Sequence, residues 1–202
     1  MNISLTILII LITCGASLYA FSNYSFWAGL IMNPYITSKR NQYYRFITSG
    51  FVHANYIHLG FNMISFYFFG DIVETWLGSF RFVLLYLAAI VISDIPTFLK
   101  NKDNPGYNSL GASGGVAAII FASVLIHPMN LIIVYFIPVP AFLFGIIYLF
   151  YSYYMDKRSN DNINHSAHLY GAVVGIVYTS VLYPALIPSF FQQIVEAFQS
   201  FF

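Results

Sequence analysis

The sequence predicts an all-α membrane protein: a bundle of six transmembrane helices joined by short loops, with an interfacial helix at the C-terminal end. Two observations carry this prediction. Of 202 residues, 59% are hydrophobic, 20% aromatic and only 7% charged, with a mean hydropathy of +0.73, whereas soluble domains carry roughly 25% charged residues. A chain so poor in charge is solvated mostly by lipid. Apolar runs approaching the ~20 residues that cross ~30 Å of hydrocarbon also recur six times, separated by polar or Pro/Gly breaks. Spans and short loops use up the whole length, so residues 1–202 read as one polytopic domain. The expected setting is the plasma or an inner membrane.

The first span is roughly Ile3–Phe21. No Lys or Arg precedes it, the cleavage site after Ala20 is weakly formed, and Thr13 stands where a lipoprotein box needs a smaller residue. It reads as a retained helix rather than a signal peptide. A polar loop dotted with aromatic residues follows, through Lys39, Arg40 and Arg45. The second span is roughly Val52–Ile72, bounded by Asp71 and Glu74, and the third roughly Phe80–Leu99. "KNKDNPGYNS" then breaks the chain at Asn-Pro-Gly. The fourth span, roughly Leu110–Ile126, is closed by His127-Pro128.

Pro138 and Pro140 start the fifth helix near Pro140, with residues 129–138 as an interfacial approach. It ends in "YLFYSYYMDKR", an aromatic belt with a cationic flank as expected at a membrane surface. The polar loop "SNDNINHS" leads to the sixth span, roughly Ala167–Tyr183. The tail "SFFQQIVEAFQSFF" is patterned as an amphipathic interfacial helix. No internal repeat is visible.

Several functions are excluded at this level. A net charge of +1 offers no basic face for nucleic acid. Cys14 is the only cysteine, so no internal disulfide forms. No His-Glu-x-x-His helix occurs, His53 with His58 alone is poor evidence for zinc, and no glycine-rich phosphate loop follows a strand. No metal or other cofactor is expected.

The polar residues inside the spans are the functional candidates, because each is costly to bury unpaired. Spans two, four and six run parallel, since two crossings return the chain to the same side. Their N-terminal ends carry His53, His58 and Asn62, then Ser113, then His168. His58 and Asn62 are i and i+4, on one helix face. His168, Gly171 and Gly175 form a small-residue stripe, and Gly114, Ala118 and Ala122 form a second beginning one residue after Ser113. Packing the two seams together brings Ser113 to His168.

This set of residues suits acyl transfer. A serine hydroxyl is a weak nucleophile until a base removes its proton, and a neutral histidine can do so. Asn62, His58 and the Ser113 N–H are candidate oxyanion donors, and a helix N-terminus favours developing negative charge. No Asp or Glu lies near these helix ends in the sequence, so a Ser-His dyad without a carboxylate is expected.

Three motifs then resemble the rhomboid family of intramembrane serine proteases. "GASGG" resembles its Gly-x-Ser-Gly, "AHLYGAVVG" its Ala-His-x-x-Gly-x-x-x-Gly, and "HANYIHLGFN" its His and His-x-x-x-Asn pattern. "YYRF" resembles the family's Trp-Arg pair, with Tyr44 in place of tryptophan. The resemblance covers a core of about residues 40–185. It implies Ser113 as nucleophile and His168 as general base, with His58, Asn62 and Gly111 on the oxyanion and substrate-binding side. His53, Gly171 and Gly175 are supporting residues, and Arg45 stabilises the first loop. The implied substrates are transmembrane segments of other membrane proteins, with the lipid bilayer as the second partner.

Competing readings stay open. Taken alone, Ser113 is a packing residue, and it is the histidine and span-two residues that favour catalysis. His165 reads as a cap or solvent contact, His127 as interfacial, and Asp94 as a structural hydrogen bond near Pro96. A non-catalytic, client-binding relative and a small transporter are the alternative functions. The family arrangement keeps the N-terminus cytoplasmic and the first, third and fifth loops outside. Those loops hold seven of the eight basic residues, all but Arg81, so the positive-inside rule points the other way.

Overall fold

The computed structural model describes residues 4–134, 136–158 and 163–200, and these are mostly helical. Helix α1 (Leu5–Ser22) begins at Ser4, whose hydroxyl accepts from Ile7 N. A second, distant group completes its first turn. The Glu74 carboxylate accepts from Leu5 N at 2.9 Å, from Thr6 N at 2.8 Å, and from the hydroxyls of Thr6 and Ser79. Orphan N–H donors at a helix start need such partners, and negative charge is favoured there.

The sequence reading treats residues 22–51 as a loop. The structure folds much of this segment into α2 (Tyr24–Leu30), α3 (Pro34–Lys39), α4 (Arg45–Thr48) and a 3-10 turn at Ser49–Phe51. Asn23 and Asn33 cap the first two by accepting from Phe26 N and Ile36 N, and Pro34 occupies the first turn of α3. Buried Arg45 donates to the carbonyls of Ala28 (2.9 Å) and Ile31 (2.7 Å) and to the Gln42 amide oxygen. Tyr44 donates to Gly29 O. One guanidinium therefore holds the end of α2 against α4.

Helix α5 (Tyr56–Leu77) runs past Asp71 and Glu74, where the sequence reading ends the span. Glu74 does not need water, because α1 supplies its hydrogen bonds. Gly78, at φ 79°, separates α5 from α6 (Ser79–Asn101). Helix α7 (Ser113–Ile126) is the centre of the bundle: every residue after Ser113 is buried. Residues 129–138, expected as an interfacial approach, belong largely to an antiparallel hairpin of β1 (Leu131–Val134) and β2 (Ile137–Pro140). The β-branched run favours strand, and the prolines delay the helix until α8 (Ala141–Arg158). Helix α9 (His165–Leu182) is followed, after Pro184, by α10 (Leu186–Gln199) at 106°. Ile187, Phe191, Val195 and Phe198 form an exposed apolar stripe along α10.

Among the described residues, α1 and α6 are long and apolar enough to cross a membrane, and α9 with α10 makes a third if the bent pair counts as one. Helix α7 has 14 residues, about 21 Å at 1.5 Å per residue, short of the ~30 Å hydrocarbon layer. Helix α5 dilutes its hydropathy with His58, Asn62, Asp71 and Glu74. Helix α8 does so with tyrosines, Asp156, Lys157 and Arg158.

The two small-residue stripes meet. A Cβ on Gly171 would overlap the Gly114 carbonyl, and one on Gly175 would overlap the Ala118 carbonyl. On its other side α7 packs against side chains of α6, since a Cβ on Gly115 would stand 2.6 Å from the Tyr86 ring. The backbone-to-backbone contact with α9 leaves no flexible atom to move aside. Gly171→Leu is therefore expected to lower the melting temperature in detergent by several degrees and to remove most activity. A variant that melts and works like the wild type would contradict this packing.

Candidate active site

The N-terminal ends of α5, α7 and α9 open onto one cavity of about 880 Å³. Ser113, His168, His58 and Asn62 all line it. Between one helix and another they are 51 to 110 residues apart in sequence, as their numbers show, and only the convergence of three helix starts brings them together. Gly111, His53, Arg45, Gly171 and Gly175 are not among the lining residues. The glycines of α9 form the seam below the cavity, and Arg45 organises the first loop.

The backbone leading to Ser113 is held at successive residues. Ser109 exchanges two backbone hydrogen bonds with Met32, at 3.0 and 2.8 Å. Gly111 N donates to Ser49 O at 2.9 Å, and Ala112 N donates to His53 Nε2 at 3.3 Å. Gly111 has φ 112°, and a Cβ there would stand 2.8 Å from His58 Nε2. Both the turn and the room for the His58 ring demand glycine. Ser113 is the first residue of α7, and no side chain caps the helix at Ala112. Its N–H is one of the four at a helix start without an intrahelical partner.

On α5, Asn62 Nδ2 donates to His58 O at 2.9 Å. An amide nitrogen carries two hydrogens, so one remains for an incoming oxygen. His53 is fully buried behind His58, with ring centroids 4.9 Å apart at 74°. Burial, with His58 as a lesser cause, lowers the His53 pKa to about 3. His53 stands in the turn before α5 and is neutral there.

His168 lies in the first turn of α9. Its ring stacks on Tyr148 of α8 at 6.4 Å and 25°, and meets His165 edge-on at 6.0 Å. His165, expected as a cap or solvent contact, is instead buried (4% exposed) and also packs against Tyr151 at 5.8 Å. The cap is Asn164, whose side chain accepts from Ala167 N at 3.0 Å and which itself lines the cavity.

Tyr148 and Asn164 are two site-lining residues that the sequence reading misses. Tyr148 was hidden in an aromatic belt, but Phe144 and Tyr148 are i and i+4 and share the cavity face. Asn164 carried a readable signal, an asparagine directly before a helical run.

Asp94 also finds its partners here. Its Oδ1 accepts from the Ser109 hydroxyl (3.3 Å) and from Asn164 Nδ2 (3.2 Å), and Asn164 Nδ2 also donates to Ser109 Oγ at 2.9 Å. Thr97 Oγ1 donates to Asn164 Oδ1 at 3.0 Å. The sequence reading gives Asp94 a structural hydrogen bond, which these contacts supply, but it places no carboxylate near the three helix ends. Folding instead brings it to the cap of the His168 helix, and the long sequence separation concealed the connection. Tyr107 lines the cavity nearby, its pKa pushed up to about 12 by burial first and then by Asp94 and Asp156. Among the described residues, no cluster of three or more His, Cys, Asp or Glu side chains could hold a metal ion.

The arrangement places a hydroxyl at a helix N-terminus, an imidazole and side-chain donors around one cavity large enough for water and a peptide segment. The family model for the Rhomboid domain matches residues 40–185. RHOMBOID-like protein 12, mitochondrial, of Arabidopsis thaliana is 32% identical over 167 residues, 73% of this chain and 50% of that protein. Rhomboid-like protein 11, chloroplastic, of the same plant is 33% identical over 190 residues, 86% and 64% of the two chains. The putative rhomboid protease YdcA of Bacillus subtilis is 26% identical over 159 residues, 75% and 73% of the two. The chain spans about half to two thirds of the length of the two plant relatives.

Proposed function

Because this chain belongs to the rhomboid family of membrane proteins, we propose that it is a serine endopeptidase that cuts transmembrane segments of other membrane proteins. The observation that carries the reading is the shared cavity: Ser113, His168, His58 and Asn62, from three helices, face one space. In this reading His168 takes the Ser113 proton as the hydroxyl attacks a peptide carbonyl. Asn62, His58 and the Ser113 N–H receive the charge that develops on the carbonyl oxygen. The same imidazole then protonates the leaving amine, and water completes hydrolysis of the acyl-enzyme by the reverse roles. Tyr148 supports the His168 ring, and Gly111 leaves room for His58.

The reading also takes α1, α5, α6, α7, α8 and α9 as six crossings. The short α7 is then completed by the cavity above Ser113, which admits water below the membrane surface. Helix α10, at 106° to α9, lies in the membrane plane with its apolar stripe toward lipid. The similar proteins are mitochondrial, chloroplastic or bacterial, so the cell membrane is not singled out and the assignment is to a membrane only.

The test is incubation of the purified protein in detergent with a panel of single-span reporters, alongside labelling by a fluorophosphonate. Cleavage together with labelling at Ser113 is expected. Binding of reporters without cleavage or labelling would instead mark a client-binding relative.

A further inference from the structure

Ser17, on α1, belongs to a chain of hydrogen bonds that ends one residue before Ser113. Ser17 and His53 are both 0% exposed. Ser17 Oγ lies 3.0 Å from Phe51 O, to which it donates, and 3.0 Å from His53 Nδ1. At the far side of the ring, Ala112 N donates to His53 Nε2 at 3.3 Å. These contacts determine every hydrogen. Nε2 accepts, so it carries no proton, and the neutral ring must hold its hydrogen on Nδ1. The single Ser17 hydrogen goes to Phe51 O, so Ser17 Oγ receives the Nδ1 hydrogen. The chain runs from Ala112 N–H through His53 and Ser17 to the Phe51 carbonyl, each donor used once.

We propose that Ser17 is a positioning residue for the reaction at Ser113: by accepting from Nδ1 it holds His53 in the tautomer that fixes the Ala112 N–H. Ala112 is the cap position of α7, so its orientation sets the direction of the Ser113 side chain and of the Ser113 N–H beside it. The His53 ring also backs the His58 ring at 4.9 Å. Ser17 belongs to α1, outside the family-matched segment, so the first helix contributes to the site without touching substrate. The inference rests on Ser113 acting as the nucleophile.

The test uses the full chain in detergent micelles, in two arms. The first needs no activity: histidine-labelled 15N NMR, with His53 assigned by its loss in His53→Gln, reads the tautomer directly. The expected wild-type spectrum is neutral with hydrogen on Nδ1, and Ser17→Ala should populate the Nε2–H form. The second arm measures reporter cleavage. Ser17→Ala is expected to lower kcat by about 3- to 10-fold, the range of one buried neutral hydrogen bond, with KM unchanged. Gln at position 53 has an oxygen for Ala112 N–H and no tautomer to lock. Adding Ser17→Ala to His53→Gln should therefore cost nothing further.

A wild-type Nε2–H tautomer, an unchanged kcat in Ser17→Ala, or an equal loss from Ser17→Ala on both backgrounds would each overturn the proposal. A wild-type protein that holds the Nδ1–H tautomer but neither cuts nor labels would overturn the protease reading, and the positioning role with it. Failure of the positioning role alone leaves wild-type cleavage and labelling intact, so the protease reading would stand.

Discussion

Ser113→Ala and His168→Ala are each expected to abolish cleavage of a transmembrane reporter, with the double variant no worse than either single one. Nucleophile and base act as one unit: without the hydroxyl there is nothing to deprotonate, and without the imidazole the hydroxyl stays a weak nucleophile. Where such units have been dissected in serine proteases, loss of either member costs on the order of 10⁶ in kcat. Both changes remove atoms that line an open cavity, so the fold should survive and melting temperatures should stay close to wild type. Fluorophosphonate labelling should vanish in Ser113→Ala and fall steeply in His168→Ala. Wild-type cleavage in either single variant would remove the dyad from consideration.

Asn62→Ala is expected to slow cleavage by about 10²-fold, the lower end of the 10²–10³ typical for one oxyanion donor. The loss should fall on kcat, because the charge that Asn62 meets exists only in the transition state, and KM should change little. The lower end is expected because His58 and the Ser113 N–H share the load. His58→Ala should behave alike, and the pair should be less than additive if both serve one oxygen. Labelling should persist in both, since nucleophile and base remain. Asn62 is also buried and donates to its own helix at His58 O, which defines the opposite outcome. A large fall in stability with normal turnover in the folded remainder would make Asn62 a structural residue only.

Much of the site was legible because its parts are local patterns. Ser113 beside Gly114 and Gly115, His168 followed by Gly171 and Gly175, and His58 with Asn62 each fit within one or two helical turns. Small stripes can be matched by spacing alone, and the closeness of Gly171 to Gly114 follows from such matching. Tyr148 was less visible, since one tyrosine among many in α8 carries no local mark. The first loop was read as irregular because its helices are short and held by Arg45 to carbonyls 14 and 17 residues away. Helix propensity over six or seven residues is too weak to announce them.

By itself, then, the sequence determined the membrane class through its lack of charge, and the late start of α8 through Pro138 and Pro140. It also determined which helix faces could approach closely, through the placement of glycine and alanine. These are properties of a residue and its neighbours within a turn. Only the tertiary structure decided the partners of the buried polar groups. Glu74 met the N-terminus of α1, Asp94 met the cap of the His168 helix, and Ser17 met His53. Such partners lie tens of residues apart, and a hydrogen bond joins atoms by distance and direction in space, which the order of the chain does not contain.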